Sequence, residues 1–378
     1  MTGSSKPRLA LDTYVLAQGI KTGVYRVCDE LFPRLMKSPR INGCLYFRDG
    51  TAQHELTLRQ KMPGPLCNAA GEGPGGGANI VLSPFGVAPP EWLADRRVLR
   101  AHIIYDLIAI HHPEYFTEAG AAEVKRIMDS LERDMIVFAI SECTKRDLLA
   151  YRPDLEPDRI VVIPLAAGDG FRPESEERAG ISVREKYGIP ANVPYLLSLA
   201  TLEVRKNMDV MVRAFALHLE SDPDSNLHLV LAGMSGWKLD GLRSALASVR
   251  RWRHRIILTG FVEDQDLSAL YSQSLAFCYL SRYEGFGLPP LEAMACGVPV
   301  ICADNSSLPE VVGNAGMLVD ANDASGVAAA IEQLKSSPSL RQDLSRSGLL
   351  RAQAFSWERC TDLIIDTLVL EFERRASV

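Results

Sequence analysis

The sequence predicts an α/β fold made of two doubly wound domains, each a parallel sheet covered by helices on both faces. Short apolar strands alternate with amphipathic helices along almost the whole chain, which is typical of this class. The chain has 378 residues, which is long for one domain and comfortable for two. A segment at 166–190 is rich in glycine, proline and charge and lacks a clear apolar period, so it is interpreted as the interdomain connection.

The first half contains six candidate strands with helical patterns between several of them. A glycine- and proline-rich stretch at 62–77 is expected to form a loop. Residues 1–175 are therefore assigned to an N-terminal domain. The strands are predicted at 8–11, 43–47, 79–83, 102–105, 136–140 and 160–163, and the helices at 23–36, 121–134 and 144–151.

The alternation resumes after the connection and defines a second domain at 176–356. Asn207 and Asp264 are expected to be helix N-caps. The last segment, 357–378, is predicted to be a helix whose apolar stripe comprises Leu363, Ile364, Thr367, Leu368 and Leu370. Strands are predicted at 195–199, 227–232, 255–258, 275–279, 298–303 and 316–319, and helices at 208–219 and 266–271.

Composition places the chain among ordinary soluble globular proteins, with 47% hydrophobic and 23% charged residues. A net charge of −6 argues against nucleic acid as a partner, because affinity for phosphates needs a basic surface. No apolar run reaches the length of a membrane span, and no signal peptide is recognised. The eight cysteines show no paired spacing, so we expect buried thiols in a reducing, cytoplasmic compartment.

The most informative segment is 281–304, SRYEGFGLPPLEAMACGVPVICAD, in which Glu284 and Glu292 stand eight residues apart. Pro290 suits the first turn of a helix, and Gly297 suits the position just past its end. A glycine loop thus meets a helix N-terminus, which is a favourable place for an anion such as phosphate. The carboxylates would face sugar hydroxyls, as in a nucleotide sugar, or they are surface charges of an ordinary strand–helix–strand unit.

This segment resembles the Glu-x7-Glu donor-site signature of retaining GT-B glycosyltransferases of family 4. The resemblance extends over nearly the whole chain and implies two Rossmann-like domains that face a cleft. The N-terminal domain would bind the acceptor and the second domain the nucleotide sugar, with the last helix crossing back onto the N-terminal domain. Further similar blocks are KTGVYRVCDEL, YDLIAIHHPEYF, AISECTKRDLL, TLEVRKN, LTGFVEDQDLSALY and SSLPEVVGNAGMLVD.

In sugar transfer, negative charge develops on the departing nucleoside diphosphate, so cationic side chains and backbone N–H groups are expected to face it. Arg205 and Lys206 are placed to receive that charge, and the resemblance implies that they are the diphosphate-binding pair; the alternative is a solvated basic turn. It also implies that Glu284 lies beside the donor hexose as the third catalytic residue. The predicted donor-binding residues are Gly260, Phe261, Gly285, Phe286, Gly287, Leu288 and Glu292.

Within that donor site, Glu292 is expected to accept hydrogen bonds from the ribose, while the backbones of Gly287 and Leu288 donate to the diphosphate. Gly260 and Phe261 are expected at the nucleotide base, although Phe261 alone could equally be a core residue at a strand end. Glu284 is not expected to be a covalent nucleophile, because the resemblance implies front-face attack with the donor phosphate accepting the proton.

The predicted acceptor side comprises Gly23, Tyr105, Asp106 and Ser141. Many family members have a His-Asp pair where this chain has Tyr105-Asp106, which weakens any assignment of a general base. His111 and His112 could compensate, or they are surface residues. Ser141 fits a helix N-cap better than an acceptor contact.

The sequence therefore predicts a retaining, metal-independent hexosyltransferase of polysaccharide biosynthesis. GDP-mannose is the first choice of donor, with UDP-glucose and dTDP-rhamnose open, and the acceptor is a glycan or a lipid-linked glycan. No metal or other cofactor is expected, since no Asp-x-Asp motif occurs. The basic run at 250–255 either touches the inner membrane peripherally or simply ends a helix. The alternatives are a GT-B sugar-nucleotide epimerase and a non-catalytic scaffold that binds a nucleotide sugar or a glycan.

Overall fold

Two parallel sheets organise the chain, which is described here from a computed structural model covering residues 6–17, 23–47, 62, 64–68, 78–87, 95–174 and 183–377. The strands are β1 (Arg8–Asp12), β2 (Asn42–Phe47), β3 (Leu66–Asn68), β4 (Ile80–Ser83), β5 (Leu99–Ile104), β6 (Ile136–Ala139), β7 (Ile160–Val162), β8 (Tyr195–Leu199), β9 (His228–Ala232), β10 (Ile256–Gly260), β11 (Ala276–Tyr279), β12 (Val300–Ala303) and β13 (Met317–Val319).

The helices of the described residues lie between these strands or follow them. They are α1 (Tyr14–Ala17), α2 (Gly23–Lys37), α3 (Ile108–His111), α4 (Glu118–Asp129), α5 (Glu142–Tyr151), α6 (Val183–Lys186), α7 (Met208–Ser221), α8 (Asp240–Ser248), α9 (Leu267–Ser272), α10 (Leu288–Ala295), α11 (Leu308–Val312), α12 (Ala324–Ser336), α13 (Pro338–Gln353) and α14 (Trp357–Ala376).

The chain divides into two compact units, of which unit 1 comprises Met1–Leu165 with Ser356–Val378 and unit 2 comprises Ala166–Phe355. The first division lies before residue 175, where the sequence analysis ended the N-terminal domain. The reason is local, because the backbones of Arg172 and Glu174 hydrogen-bond to Ser268 and Ser272 of unit 2.

Unit 1 has a seven-stranded parallel sheet in the order β3-β2-β1-β4-β5-β6-β7. The strand β3 falls inside the stretch expected to be a loop, so that expectation is wrong there. Its backbone pairs with β2, Leu45 opposite Leu66, and this tertiary pairing prevails over the surrounding glycines and prolines. The other strands follow the sequence prediction, and β4, β5 and β6 are buried along their whole length, as expected for a sheet covered on both faces.

The last helix, α14, packs within unit 1, where Arg159 pairs with Glu371 at 2.9 Å. Its buried face differs from the predicted stripe. Ile364 and Leu368 are buried as expected, but Leu363 and Leu370 are 39% and 69% exposed. The predicted stripe is therefore rotated about the helix axis relative to the face that is buried. The buried face also includes Trp357, Cys360, Thr361 and Ile365.

Unit 2 has a six-stranded parallel sheet in the order β10-β9-β8-β11-β12-β13. The order runs outward in one direction from β8 through β9 to β10 and in the other direction from β11 to β13. The reversal lies between β8 and β11, and in sheets of this type ligands bind outside the carboxyl ends of the strands at such a reversal. The topology therefore identifies where in unit 2 a ligand site is expected before any side chain is considered.

The predicted helix caps have different outcomes. Ser141 is the N-cap of α5, and its hydroxyl accepts a hydrogen bond from the Thr144 amide at 3.0 Å, which confirms the cap interpretation. Asn207 occupies the N-cap position of α7, as predicted, but its side chain makes no capping hydrogen bond, because the residue adopts a left-handed conformation with φ 58° and directs its amide elsewhere. The prediction for Asp264 is wrong, since it begins a 3-10 turn, Asp264–Asp266, ahead of α9.

The side chain of Asn207 joins three segments instead. Its amide nitrogen donates to the carbonyls of Leu280 at 3.0 Å and Ala321 at 2.6 Å, and its oxygen accepts from Arg282 at 2.8 Å. The residue is fully buried, so tertiary hydrogen bonds compensate for the unusual backbone conformation.

The helix α10 ends as predicted. Gly297 lies just past its last residues with φ +73°, and the amides of Gly297 and Val298 donate to the carbonyls of Met294 and Ala293. This is the Schellman pattern, which satisfies carbonyls that the helix end would otherwise leave unpaired.

A substitution at Gly233 tests whether the backbone packs as closely at the end of β9 as the structure shows. Its φ is +133°, and a Cβ built there would lie 1.9 Å from the Ala200 carbonyl oxygen. We expect Gly233→Ala to lower the free energy of unfolding by at least about 3 kcal/mol, because both strain and a backbone clash oppose it. Gly23→Ala is the control, since a Cβ there meets nothing within 4 Å. Urea unfolding of both variants decides, and equal stabilities would contradict the clash.

Candidate active site

The candidate active site lies at the strand-order reversal of unit 2. Arg205 and Lys206 belong to the 3-10 turn Val204–Lys206, which follows β8. Tyr279 is the last residue of β11, and Glu284 stands in the loop between β11 and α10. Because β8 and β11 are parallel neighbours, their carboxyl ends lie side by side. This brings Arg205 and Lys206 next to Tyr279 and Glu284, although Lys206 is 73 and 78 positions from those two residues in sequence.

Their side chains form one network. Lys206 Nζ lies 2.5 Å from Glu284 Oε1, and Arg205 Nη1 lies 2.8 Å from Glu284 Oε2, so each carboxylate oxygen faces its own cation. The Tyr279 hydroxyl donates to Glu284 Oε1 at 2.8 Å and accepts from Lys206 Nζ at 2.8 Å. Both cations and Glu284 are site residues predicted from the sequence, whereas their pairing and the contribution of Tyr279 emerge only from the structure.

Arg205 is held on two further sides. Its Nη2 lies 2.8 Å from Glu203 Oε1, and its Nη1 donates to the Tyr283 carbonyl at 2.8 Å. Glu203 is itself buried, which makes it a second residue that the sequence analysis missed. The sequence feature that could have indicated Glu203 is its position two residues before Arg205, which was predicted to bind phosphate. The guanidinium is thus fixed in position by groups other than the catalytic candidate Glu284.

Burial sets the charge states in this network. Burial alone would raise the pKa of Glu284, but Arg205 and then Lys206 overcome it and hold that pKa at about 2. Burial also raises the pKa of Tyr279 well above its usual value, and the Glu284 charge raises it further. The carboxylate is therefore ionised and the phenol neutral at physiological pH. Such a site holds fixed charge at a largely buried place, where the side chains of Arg205, Lys206 and Glu284 are 11–14% exposed.

The loop from Glu284 to α10 is fixed by two serines that follow β12. Ser307 donates to the carbonyls of Glu284 at 2.8 Å and Phe286 at 2.6 Å, and Ser306 accepts from the Glu284 amide at 3.0 Å. Phe286 packs its ring against Phe355 with centroids 5.8 Å apart. The side chain of Phe286 is buried in the core of unit 2, so only its backbone is available to a nucleotide-sugar donor.

Gly287 occupies the cap position of α10 with φ +131°, and Leu288 is the first residue of that helix. Glycine is required here for the backbone conformation, and a Cβ on Gly287 would also lie 3.0 Å from the end of the Leu308 side chain, which would have to shift slightly. Gly285, next to Glu284, is buried. Gly287 and Leu288 therefore lie where the loop from Glu284 enters α10, and the first amides of a helix have no partner within it.

Glu292 lies in the second turn of α10 rather than the first, because the helix begins at Leu288, two residues before Pro290. It is 3% exposed, and its Oε2 accepts a hydrogen bond from the Tyr271 hydroxyl at 3.0 Å. A buried carboxylate needs such a partner, and Tyr271 fixes its orientation.

Gly260 and Phe261 stand at the carboxyl end of β10, on the same edge of the sheet. Gly260 has φ +70°, and its carbonyl accepts from the Gly233 amide at 2.9 Å, which ties the ends of β9 and β10 together. Phe261 is 58% exposed, so the alternative of a core residue is wrong. An exposed aromatic ring beside a strand end is available to a planar ligand.

The predicted acceptor residues all belong to unit 1. Tyr105 and Ser141 follow β5 and β6 at the carboxyl edge of that sheet, and Gly23 is the first residue of α2. The Tyr105 hydroxyl is buried beside the Cys28 thiol, and burial, followed by Cys28, raises its pKa well above the usual value. Asp106 accepts from the Ile108 amide at 3.1 Å, at the start of α3. The structure therefore does not orient Tyr105 as a general base.

The two histidines considered as substitutes lie just beyond. His111 is exposed at the end of α3, and His112 Nδ1 lies 3.2 Å from Glu114 Oε1 on the surface. The residues at 19–22, which precede Gly23 in the predicted cleft loop, are outside the described part of the chain.

Comparison with known proteins gives this arrangement its context. Residues 181–351 match the family model of glycosyl transferases group 1. O-antigen chain mannosyltransferase B of Escherichia coli is 35% identical over 285 residues, which cover 74% of this chain and 73% of that protein. The chain belongs to the group 1 glycosyltransferases. The serotype-specific mannosyltransferase WbdA of Escherichia coli is 33% identical over 269 residues, and there the matched region is only 32% of the longer protein.

Solved structures show that this glycosyltransferase has the GT-B fold. A glycosyltransferase from Rickettsia africae superposes with a TM-score of 0.71 at 18% identity, covering 99% of both chains. Anabaena HepE in complex with UDP and glucose gives a TM-score of 0.72 at 18% identity, covering 96% of this chain and 99% of that one. Among the helices of the described residues, we find none with the length and apolarity needed to cross a bilayer.

Acid stability tests the charge state of Glu284. Its folded pKa of about 2 lies below the usual 4.5, so its ionisation stabilises the fold fully above about pH 5, and this contribution is lost as pH falls toward 2. At neutral pH it amounts to about 3 kcal/mol. We expect the stability difference between the natural enzyme and Glu284→Gln to shrink by about 1 kcal/mol between pH 7 and pH 4 in urea unfolding. A difference independent of pH would show that folding leaves the pKa of Glu284 unshifted, and a difference that grows toward pH 4 would show that Glu284 is protonated in the folded state.

Proposed function

We propose that this glycosyltransferase transfers a hexose with retention of configuration from a nucleotide-diphosphate sugar, with GDP-mannose as the first choice, to a glycan or lipid-linked glycan in polysaccharide biosynthesis. The observation that supports this proposal is the buried group of Arg205, Lys206 and Glu284 at the strand-order reversal of unit 2. Two cations fixed in a place where ligands of such folds bind are suited to a diphosphate leaving group.

The network suggests how donor binding would proceed. Without donor, Glu284 is the anion that neutralises Lys206 and one side of Arg205, with Glu203 on the other side. The incoming diphosphate is a stronger anion, and we propose that it takes the place of Glu284 on these cations. Glu203 and the Tyr283 carbonyl keep Arg205 in position during the exchange. Glu284 is then released to accept hydrogen bonds from sugar hydroxyls.

The same exchange supports the proposed chemistry of the leaving group. As the anomeric C–O bond stretches, charge grows on the β-phosphate, and the fixed guanidinium and ammonium stabilise it without reorganisation. Two protein cations can supply the charge that a divalent ion supplies elsewhere, which is why the proposal needs no metal. Glu284 is ionised beside the two cations, and in this proposal its role toward the sugar is electrostatic rather than that of a nucleophile.

The choice of GDP-mannose as donor is supported by the names of similar proteins, and a solved complex identifies its main competitor. The relatives with the greatest similarity reported above are named mannosyltransferases, which favours a mannosyl donor. HepE, which shares only the fold, was solved with UDP and glucose, so UDP-glucose is the main competitor. In the proposed arrangement Glu292 binds the ribose, and Phe261 forms one wall of the base site beside Gly260. The acceptor would be polysaccharide material assembled at the cytoplasmic face of the inner membrane, with peripheral membrane contact and no nucleic-acid partner.

Lys206→Ala tests the leaving-group role. We expect turnover to fall by at least about a hundredfold, because one of two cations facing the diphosphate is gone. The melting temperature should fall as well, because Glu284 keeps only Arg205 as a cationic partner, so turnover is compared below the melting transition of the variant. Lys186→Ala is the matched control, since Lys186 is a surface lysine of the same unit, paired with Asp266. Turnover is measured with radiolabelled GDP-mannose and a lipid-linked acceptor. Near-normal turnover in Lys206→Ala would refute the role, and isomerised sugar nucleotide without an acceptor would point to an epimerase.

Glu292→Gln tests the ribose assignment and the donor together. Binding of GDP, UDP and dTDP is compared by thermal shift in EDTA, and we expect GDP to raise the melting temperature most.

The natural enzyme should bind GDP at least about tenfold more tightly than 2′-deoxy-GDP, because a buried carboxylate loses a hydrogen bond. The variant should lose most of that preference. An unchanged preference would exclude Glu292 from the ribose site, and a shift that requires metal would contradict metal independence.

A further inference from the structure

A second cluster of functional side chains lies between α7 and α12 of unit 2. It consists of His218 on the last turn of α7, Asp222 just after that helix, and Glu332 on α12. One potential ligand atom from each residue lies within 4.8 Å of the others. His218 is ten residues along α7 from Met208, about 15 Å from the end of the helix that follows Lys206, so the cluster is separate from the proposed donor site.

Two atoms of this cluster are buried and lack partners. The side chain of His218 is fully buried, and its Nδ1 has no hydrogen bond. Glu332 Oε2 is likewise shielded from solvent without a hydrogen bond. The two atoms lie 3.3 Å apart, yet they are not aligned as a donor and an acceptor. Two such atoms side by side, each able to offer a lone pair, are better explained by a shared third partner than by their mutual contact.

We propose that His218, Asp222 and Glu332 bind a divalent transition-metal ion, with Zn²⁺ as the representative of the class. Ligand atoms about 2.0–2.1 Å from a tetrahedral ion lie about 3.3 Å from each other, which matches the Nδ1 to Oε2 distance. One imidazole nitrogen and two carboxylate oxygens suit Zn²⁺ and its neighbours better than the all-oxygen preference of Mg²⁺ or Ca²⁺. Water would complete the coordination.

The protonation states agree with this assignment. Burial lowers the pKa of His218, Lys335 lowers it further, and Glu332 and Asp222 oppose them, so the ring is neutral and can act as a ligand. Its Nε2 faces the Ser225 hydroxyl at 3.5 Å, which would leave Nδ1 as the free position. The hydrogen bond from Lys335 lowers the pKa of Asp222, which is therefore ionised.

Lys335 is the competitor of the metal. Its ammonium is bonded to Asp222 Oδ2, next to the proposed site. A bound ion would replace that ammonium, and Lys335 would move into solvent, to which its side chain is already 29% exposed. The site thus has a built-in cation that weakens metal binding and can be removed by mutation. When occupied, the ion would link the end of α7 to α12.

Isothermal titration of the EDTA-treated full-length protein with ZnCl₂ tests the proposal. We expect one ion per chain to be lost, or bound at least about tenfold more weakly, in His218→Gln and in Glu332→Gln. His228→Gln is the control, because His228 is another partly buried histidine of unit 2 whose Nδ1 faces only the Asn226 carbonyl. Glu332 is half-exposed, so its variant should fold even if His218→Gln does not.

Lys335→Met gives a result that a merely structural ion-pair cluster would not produce. Removing the competing ammonium should tighten zinc binding about tenfold and enlarge the zinc-induced rise in melting temperature. Zinc affinity that is unchanged in His218→Gln and Glu332→Gln, or weaker in Lys335→Met, would overturn the site. Absence of zinc binding in the natural protein would do the same, and would leave the cluster as a structural contact between His218 and Glu332.

Discussion

The structure of unit 2 depends on keeping four charged side chains together away from water. Glu203, Arg205, Lys206 and Glu284 carry two positive and two negative charges, and each is mostly buried. An isolated charge in such a place costs several kcal/mol, and the cost is offset only when opposite charges are held at hydrogen-bond distance. The parallel pairing of β8 with β11 meets that condition, because it brings both sets of residues to one edge of the sheet.

The same constraint explains why so many neighbours fix the loop that bears Glu284. A carboxylate that must lie within 3 Å of two cations allows little freedom to the backbone that carries it. Ser306 and Ser307 bond to that backbone, Tyr279 bonds to the carboxylate, and the turn at Gly287 leads directly into α10. These contacts come from the ends of β11 and β12 and from the start of α10. The geometry of the site is therefore a property of the sheet as a whole, not of the signature segment alone.

Much of this could be predicted from sequence, and the failures have physical causes. The strand and helix alternation predicted most elements, because apolar periodicity directly reflects burial in a two-faced sheet. Arg205, Lys206 and Glu284 were predicted as site residues, but their pairing depends on which strands are adjacent, and a single sequence does not give strand order. Tyr279 could not be separated from a core aromatic, since it ends an apolar strand and only its hydroxyl distinguishes it.

Misplaced features show the same limits. Asn207 satisfies the local rule for a helix cap, but hydrogen bonds to distant carbonyls determined its conformation instead. Tyr105 occupies the position expected from the resemblance, and only the structure shows that its hydroxyl is buried beside Cys28. The predicted stripe of α14 missed by one step around the helix, because Leu363 and Leu370 are as apolar as the residues that pack.

The three bonds of Asn207 have a consequence for motion. One buried amide connects the start of α7 with the segment after β11 and the segment after β13. Each of these segments must break at least one bond of this shared amide in order to open, so we expect their backbone amides to exchange with deuterium as one cooperative group. A ligand that stabilises the Glu284 loop would then slow exchange beyond β13, at residues that do not touch it.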